Sequence, residues 1–441
     1  MTNDPDEGQD NPFKGTPFEQ FFGGLMGGTP GAGAPDFGAM FTQIQAMMQP
    51  YDGPLNWDLA LDLARKQAAT SADPSPSQRQ QEQVADAVRL ADHWLDETTD
   101  FPSGVTSTAA WSRAEWIVGT TDVWKGLVEP IAASSVNSIA AAMPQDQALG
   151  GPMGGQLIGM LQRAVGGMLA SQIGSGLGAL AGEVLTASDI GLPLGAPGKA
   201  ALVPANVVEF AAGLDVSQDD ILLYLALREA AHQRLFAHVP WLRDHLIGAV
   251  TDYARGLEVN TANLQSSIEE QLRGLDLTNP ESLQKLTEGG MFDLQQSPEQ
   301  EAALQRLEVT LALVEGWVDE VVGQATAERM PTADKLQEAV RRRRASGGPA
   351  EQTFASLVGL ELRPRRLRDA STLWGSLRAR QGAEARDGVW MSPHLLPTAA
   401  DLDDPLGFRE DAGTPLELSE EEFDAGLRDL LDGPPDGRTQ E

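Results

Sequence analysis

Nine segments of this chain favour an apolar spacing of 3.6 residues, the period of one helix face, over the two-residue alternation of a strand. They are Trp57 to Ala69, Ser77 to Thr98, Ala109 to Met143, Gly155 to Leu185, Gln218 to Ala237, Trp241 to Leu257, Leu264 to Gly274, Glu299 to Thr326 and Thr332 to Arg344. The pattern predicts a mainly α fold with at most a few short strands. The best strand candidates are Ala200 to Val203 and Val207 to Phe210, inside the turn-rich stretch Gly191 to Leu214. No repeat of fixed length is visible.

The ends of the chain depart from this pattern. Residues 1–50 hold six acids, one Lys and Gly-rich runs, too little apolar surface to offset backbone ordering. Residues 401–441 hold 14 acids and three Arg. The expected organisation is a disordered Gly-rich acidic arm over 1–50, a helical core over 51–400 and a flexible acidic tail over 401–441. Within the tail, Ser419 to Leu431 has the capping residue and spacing of a short helix. Sixty-four Asp and Glu against 32 Lys and Arg leave a net charge of −32, which repels a phosphate backbone and argues against nucleic acid as a partner.

One stretch demands a membrane test. Ala164 to Gly182 carries no charge over 19 residues, and Gly174, Gly178 and Gly182 place a small residue every four positions. Six of the 19 are Gly and others are Ser171, Gln172 and Ser175, so insertion is poorly favoured and a tightly packed buried helix is expected instead of a transmembrane span. The first residues lack a basic region followed by an apolar one, so the default location is cytoplasmic. Zero cysteines fit a reducing compartment and exclude thiolate ligands and nucleophiles, which leaves His and carboxylates for any metal.

Locally the charge reverses. From Pro331 to Arg380 there are 11 Lys and Arg, including Arg341 to Arg344, against five acids. A solvated helix end, with docking of the acidic tail onto this basic segment, accounts for it; a site for an anionic ligand is the sharper alternative.

The five histidines are His93, His232, His238, His245 and His394, and three of them fall within fourteen residues. Ser217 starts a helix that Pro240 closes, and on it Arg228 and His232 lie four residues apart, on one face, with Glu229 beside them. This is the H-E-x-x-H arrangement with one substitution. In that motif two histidines grip zinc and the Glu activates bound water; here the residues read Arg228-Glu-Ala-Ala-His232. Downstream, Glu315 is the one charge in the run Val309 to Val318, with Asp319 next after it. A carboxylate among apolar neighbours needs a cation or a metal. The Gly clusters lack the Gly-Lys-Ser/Thr ending of a phosphate loop, and no nucleophile elbow is present.

Arg-Glu-Ala-Ala-His with the following Val239-Pro-Trp-Leu242, together with Val314-Glu-Gly-Trp-Val-Asp319 and Leu357-Val-Gly-Leu-Glu-Leu362, resembles the zincin-like family of zinc-dependent metalloproteases or hydrolases. Some relatives are associated by context with deazaflavin-coenzyme biosynthesis. The resemblance covers most of residues 55 to 395. It implies zinc as cofactor, His232 and Glu315 as ligands, Glu229 as general base and a peptide or protein substrate.

Arg228 departs from the pattern, and three accounts of it stand. His238, six residues after His232, completes the metal site if the helix breaks early; on a continuous helix it points about 120° off the His232 face. In the second account the fold survives without zinc as a binding or scaffold protein, with Arg228 supplying the missing positive charge and pairing with Glu229 or Glu315. In the third, Arg228 turns aside and His232, Glu315 and water, with Asp319, bind metal weakly. In an active enzyme Arg228 would stabilise an oxyanion.

Overall fold

The computed structural model describes residues 51–141, 152–249, 251–252, 298–345 and 366–409, all within the unit Pro50–Glu441. The fold is mostly helical, as the periodicity predicts. In chain order the elements are α1 (Trp57–Ala68), α2 (Gln78–Leu95), β1 (Ser107–Ala110), α3 (Arg113–Ala141), α4 (Pro152–Glu183), β2 (Lys199–Leu202), α5 (Pro204–Ala211), α6 (Gln218–His238), α7 (240–249), α8 (Pro298–Thr326), α9 (Ala333–Ala345), α10 (Leu367–Gly388) and α11 (Ala399–Asp403). The expected helices Leu264 to Gly274 and Ser419 to Leu431, and the arm over 1–50, lie outside the described residues.

Helix starts follow local chemistry. Asn56 accepts from the Leu59 amide at 3.1 Å, Ser77 and Gln80 form a reciprocal capping box, and Ser217 accepts from the Asp220 amide at 3.1 Å. The uncharged stretch of α4 packs along α1. A Cβ at position 174 would lie 2.9 Å from the Leu63 Cβ, and one at 178 would lie 2.7 Å from the Ala64 carbonyl oxygen, so glycine is what allows these two backbones to approach. No described helix is long and apolar enough to cross a membrane.

The sheet has two parallel strands, with Ser107 opposite Lys199 and Ala110 opposite Leu202. Thr186 bridges Leu202 from the other side of β2 in antiparallel sense. The expected strand at Ala200 to Val203 is β2. Its partner Ser107–Ala110 overlaps the head of a segment whose periodicity reads as helix, and Arg113 begins the actual helix. The expected strand Val207 to Phe210 is a correction: it belongs to α5, where Pro204 at the first helical position supplies a preset φ and commits the apolar run to a helix. Helix α10 has no counterpart among the nine periodic segments.

Two helices are enclosed on every side. Residues 224–235 of α6 and 310–322 of α8 are all buried; α6 packs against α2, α8 and β2, and α8 against α6 and α10. Polar side chains on these stretches cannot reach bulk water and have to satisfy one another. At the far end, Leu402 of α11 is buried and Asp403 pairs with Arg366 at 2.5 Å.

Candidate functional site

Helix α6 brings Arg228, Glu229 and His232 into the protein, and α8 brings Glu315 and Asp319 one turn apart to meet them. The Arg228 side chain is 5% exposed and that of Glu315 2%. His232 Nδ1 lies 2.9 Å from the carbonyl oxygen of Arg228. Each ring nitrogen therefore faces an acceptor, Nδ1 the Arg228 carbonyl and Nε2 the Glu315 Oε1, the latter also at 2.9 Å. Arg228 Nη2 donates to Glu315 Oε2 at 2.5 Å. His232 and Glu315, far apart in sequence, therefore meet, and Arg228 stands with them.

Two further cations come from α9. Arg344 Nη1 is 2.8 Å from Glu315 Oε1, and Arg341 Nη2 is 2.5 Å from Asp319 Oδ2. The remaining edge is less complete. Arg228 Nη1 stops 3.6 Å from Asp319 Oδ1, and neither atom has a hydrogen-bond partner among the described residues. Burial by itself would raise the Glu315 carboxyl, but Arg344, His232 and Arg228 together outweigh it and hold the group down to about 2. Burial pushes the Tyr224 phenol up to about 12, against the pull of Arg228.

Glu229 faces another way. Its Oε2 accepts from the Ser188 amide at 3.1 Å and its Oε1 from Gln233 Nε2 at 3.0 Å. Burial raises its pKa despite the opposing effects of His232, Thr186, Gln233 and Ser188. Ser188 belongs to the link between α4 and β2, which lies over the cluster: the Asp189 carbonyl accepts from Arg344, and Gly191 packs on Glu315. Gly191 has φ +77°, and a Cβ there would sit 2.9 Å from Glu315 Oε1, so both its conformation and its contact favour glycine.

The other histidines are elsewhere. Helix α6 continues unbroken to His238, which is exposed and stacks on Phe101 with ring centroids 5.9 Å apart. His93 and His394 are exposed. His245 sits edge-on to Trp241, its pKa lowered by burial and by Arg306.

A zinc centre built on this pattern needs three protein ligands and an open position. Arg228 holds the third place with a guanidinium that has no acceptor and no accessible neutral form. Both oxygens of Glu315 are already ion-paired with arginines. Among the described residues no group of three or more His, Cys, Asp or Glu is placed to hold a metal ion. As arranged, the donor set does not fit zinc.

Arg341, Arg344, Ser188 and Gly191 are the site residues that sequence reasoning missed. The isolated charge of Glu315 signalled that some cation was needed. The run Arg341 to Arg344 reads as a solvated helix end, yet only Arg342 behaves so, paired with Glu338 on the surface. A 13-residue helix whose last turn points back at α8 was not legible in the charge pattern.

The family model for zincin-like metallopeptidases matches residues 55–408. The chain therefore belongs to the zincin-like metallopeptidase family, a family of hydrolases. Its structure is similar to the crystal structure of a candidate hydrolase with a novel fold from Chloroflexus aurantiacus, with TM-score 0.55 and 20% identity over 80% of this chain and 96% of that one. At that identity the likeness speaks for the fold alone. No curated protein matches the chain.

Proposed function

We propose that this protein is a zincin-fold member whose metal position is filled by an internal ion-pair cluster, and that it acts by binding a peptide or protein partner, with no hydrolysis. The observation that carries the reading is the 2.5 Å contact between Arg228 Nη2 and Glu315 Oε2. It joins the residue that departs from the motif to the carboxylate that the motif would offer a metal. A guanidinium can neutralise that carboxylate permanently, and its fork of donors fits a carboxylate better than a lysine would.

A second reading, a zinc-dependent peptidase with His232 and Glu315 as ligands and Glu229 as base, draws support from the family. One observation favours it: Glu229 is fully buried beside His232 with a raised pKa, the tuning a general base requires. The two readings separate on metal content. Protein purified without a histidine tag and then offered zinc is expected to hold none, with His232→Ala and Glu315→Ala no different. Stoichiometric zinc in the wild type that disappears in both variants would overturn the binding reading. Peptide hydrolysis abolished in Glu229→Gln would then establish the second.

A further inference from the structure

Each oxygen of Glu315 carries its own cation, and the two cations come from different helices. Arg228 of α6 holds Oε2 at 2.5 Å. Arg344 of α9 holds Oε1 at 2.8 Å, and this is the oxygen that His232 Nε2 faces at 2.9 Å. Arg344 thus occupies the edge between the two groups that would have to converge on a metal. We infer that a pair of arginines has taken over the metal's charge in this fold, Arg228 from the motif and Arg344 from α9, so that a histidine returned to position 228 is not sufficient to create a zinc site. The inference rests on the proposed reading that the wild type holds no metal.

Three observations fix Arg344 in that role. Its side chain is 6% exposed, so it cannot swing into solvent without opening the packing around it. Its Nη2 donates to the Asp189 carbonyl, which ties it to the link that covers the site. Gly191 of the same link closes on Glu315 from above. A guanidinium cannot lose its proton to make way for another cation. Within about 4 Å of a divalent ion in a buried site of effective dielectric about 20, it weakens binding by more than about a thousandfold.

The test is zinc binding by equilibrium dialysis, with zinc alone as the probe, on the full chain as wild type, R228H, R344Q and R228H/R344Q. A melting curve for each variant checks folding. Zinc is expected at about one per chain in the double variant and at least about a hundredfold weaker in R228H, with none in R344Q or the wild type. Equal affinity of R228H and the double variant would overturn the inference while leaving the proposed function intact. So would a folded double variant that binds no zinc. Stoichiometric zinc in the wild type would instead overturn the underlying reading. If the R344Q background fails to fold, folded R228H alone decides: tight zinc overturns the inference, and absence of tight zinc supports it.

Discussion

Helix α8 carries two buried charge clusters side by side, and they are satisfied to different degrees. On one side Arg386, fully buried, places Nε 2.7 Å from Asp387, Nη1 2.6 Å from Glu320 and Nη2 2.7 Å from the Thr98 carbonyl. Asp387 in turn accepts from Trp317 and Thr99 at 2.9 and 2.6 Å. On the other side Arg228 makes one strong bond to Glu315, while its Nη1 and Asp319 Oδ1 remain 3.6 Å apart without hydrogen bonds. Buried polar groups are ordinarily all paired, and departures concentrate where function has shaped the site. The Arg386 cluster is a clamp between α8, α10 and the end of α2. The Arg228 cluster joins α6, α8 and α9, and its pairing is incomplete.

The contrast can be broken at its strongest point first. Arg386→Met takes the buried cation from Asp387 and leaves Glu320 with Arg378, and is expected to cost about 3–5 kcal/mol in denaturant unfolding. A smaller effect should come from acid titration of the other cluster. The Glu315 carboxyl is held from its ordinary 4.5 down to about 2 in the folded protein. Its stabilising contribution is therefore present above about 4.5 and is lost as pH falls through about 2. Melting temperature measured across that window should fall in the wild type and fall less steeply in Glu315→Gln. The smallest change is expected from Arg228→Met, at about 1–2 kcal/mol. Glu315 then keeps Arg344 and His232, and Asp319 keeps Arg341 and Ser371. A cost for Arg228→Met equal to that for Arg386→Met would show that the two clusters do the same structural work.

The helices were legible where periodicity and capping agreed. Ser217 and the apolar run after it locate α6 to within a residue, and Ser77 does nearly as well for α2. The strands were not equally legible. Residues 200–203 read as extended, but the partner Ser107–Ala110 has only four residues of Ser, Thr and Ala, a composition without a period of its own. What makes it a strand is the free edge of β2 beside it. Residues 207–210 went the other way, because a β-branched run reads as strand until Pro204 ahead of it starts a helix. Helix α10 is full of Arg and has Gly375 and Gly382 inside it, so its buried face of Leu373, Trp374 and Leu377 is short and interrupted.

For the site, the sequence by itself determined the face of α6 that carries Arg228 and His232, because a spacing of four residues on a helix leaves no other arrangement. It also determined that Glu315 must meet a cation, because an ionised carboxylate in an apolar run is otherwise too costly to bury. Which cation it meets was decided only by tertiary structure. The turn after α8 aims the end of α9 back at Glu315, so Arg344 and Arg341 point inward while Arg342 stays on the surface. The link between α4 and β2 adds Ser188 and Gly191 from a distant part of the chain. These contacts depend on how helices pack around one another, and neither residue type nor local spacing encodes which side chains that packing brings together.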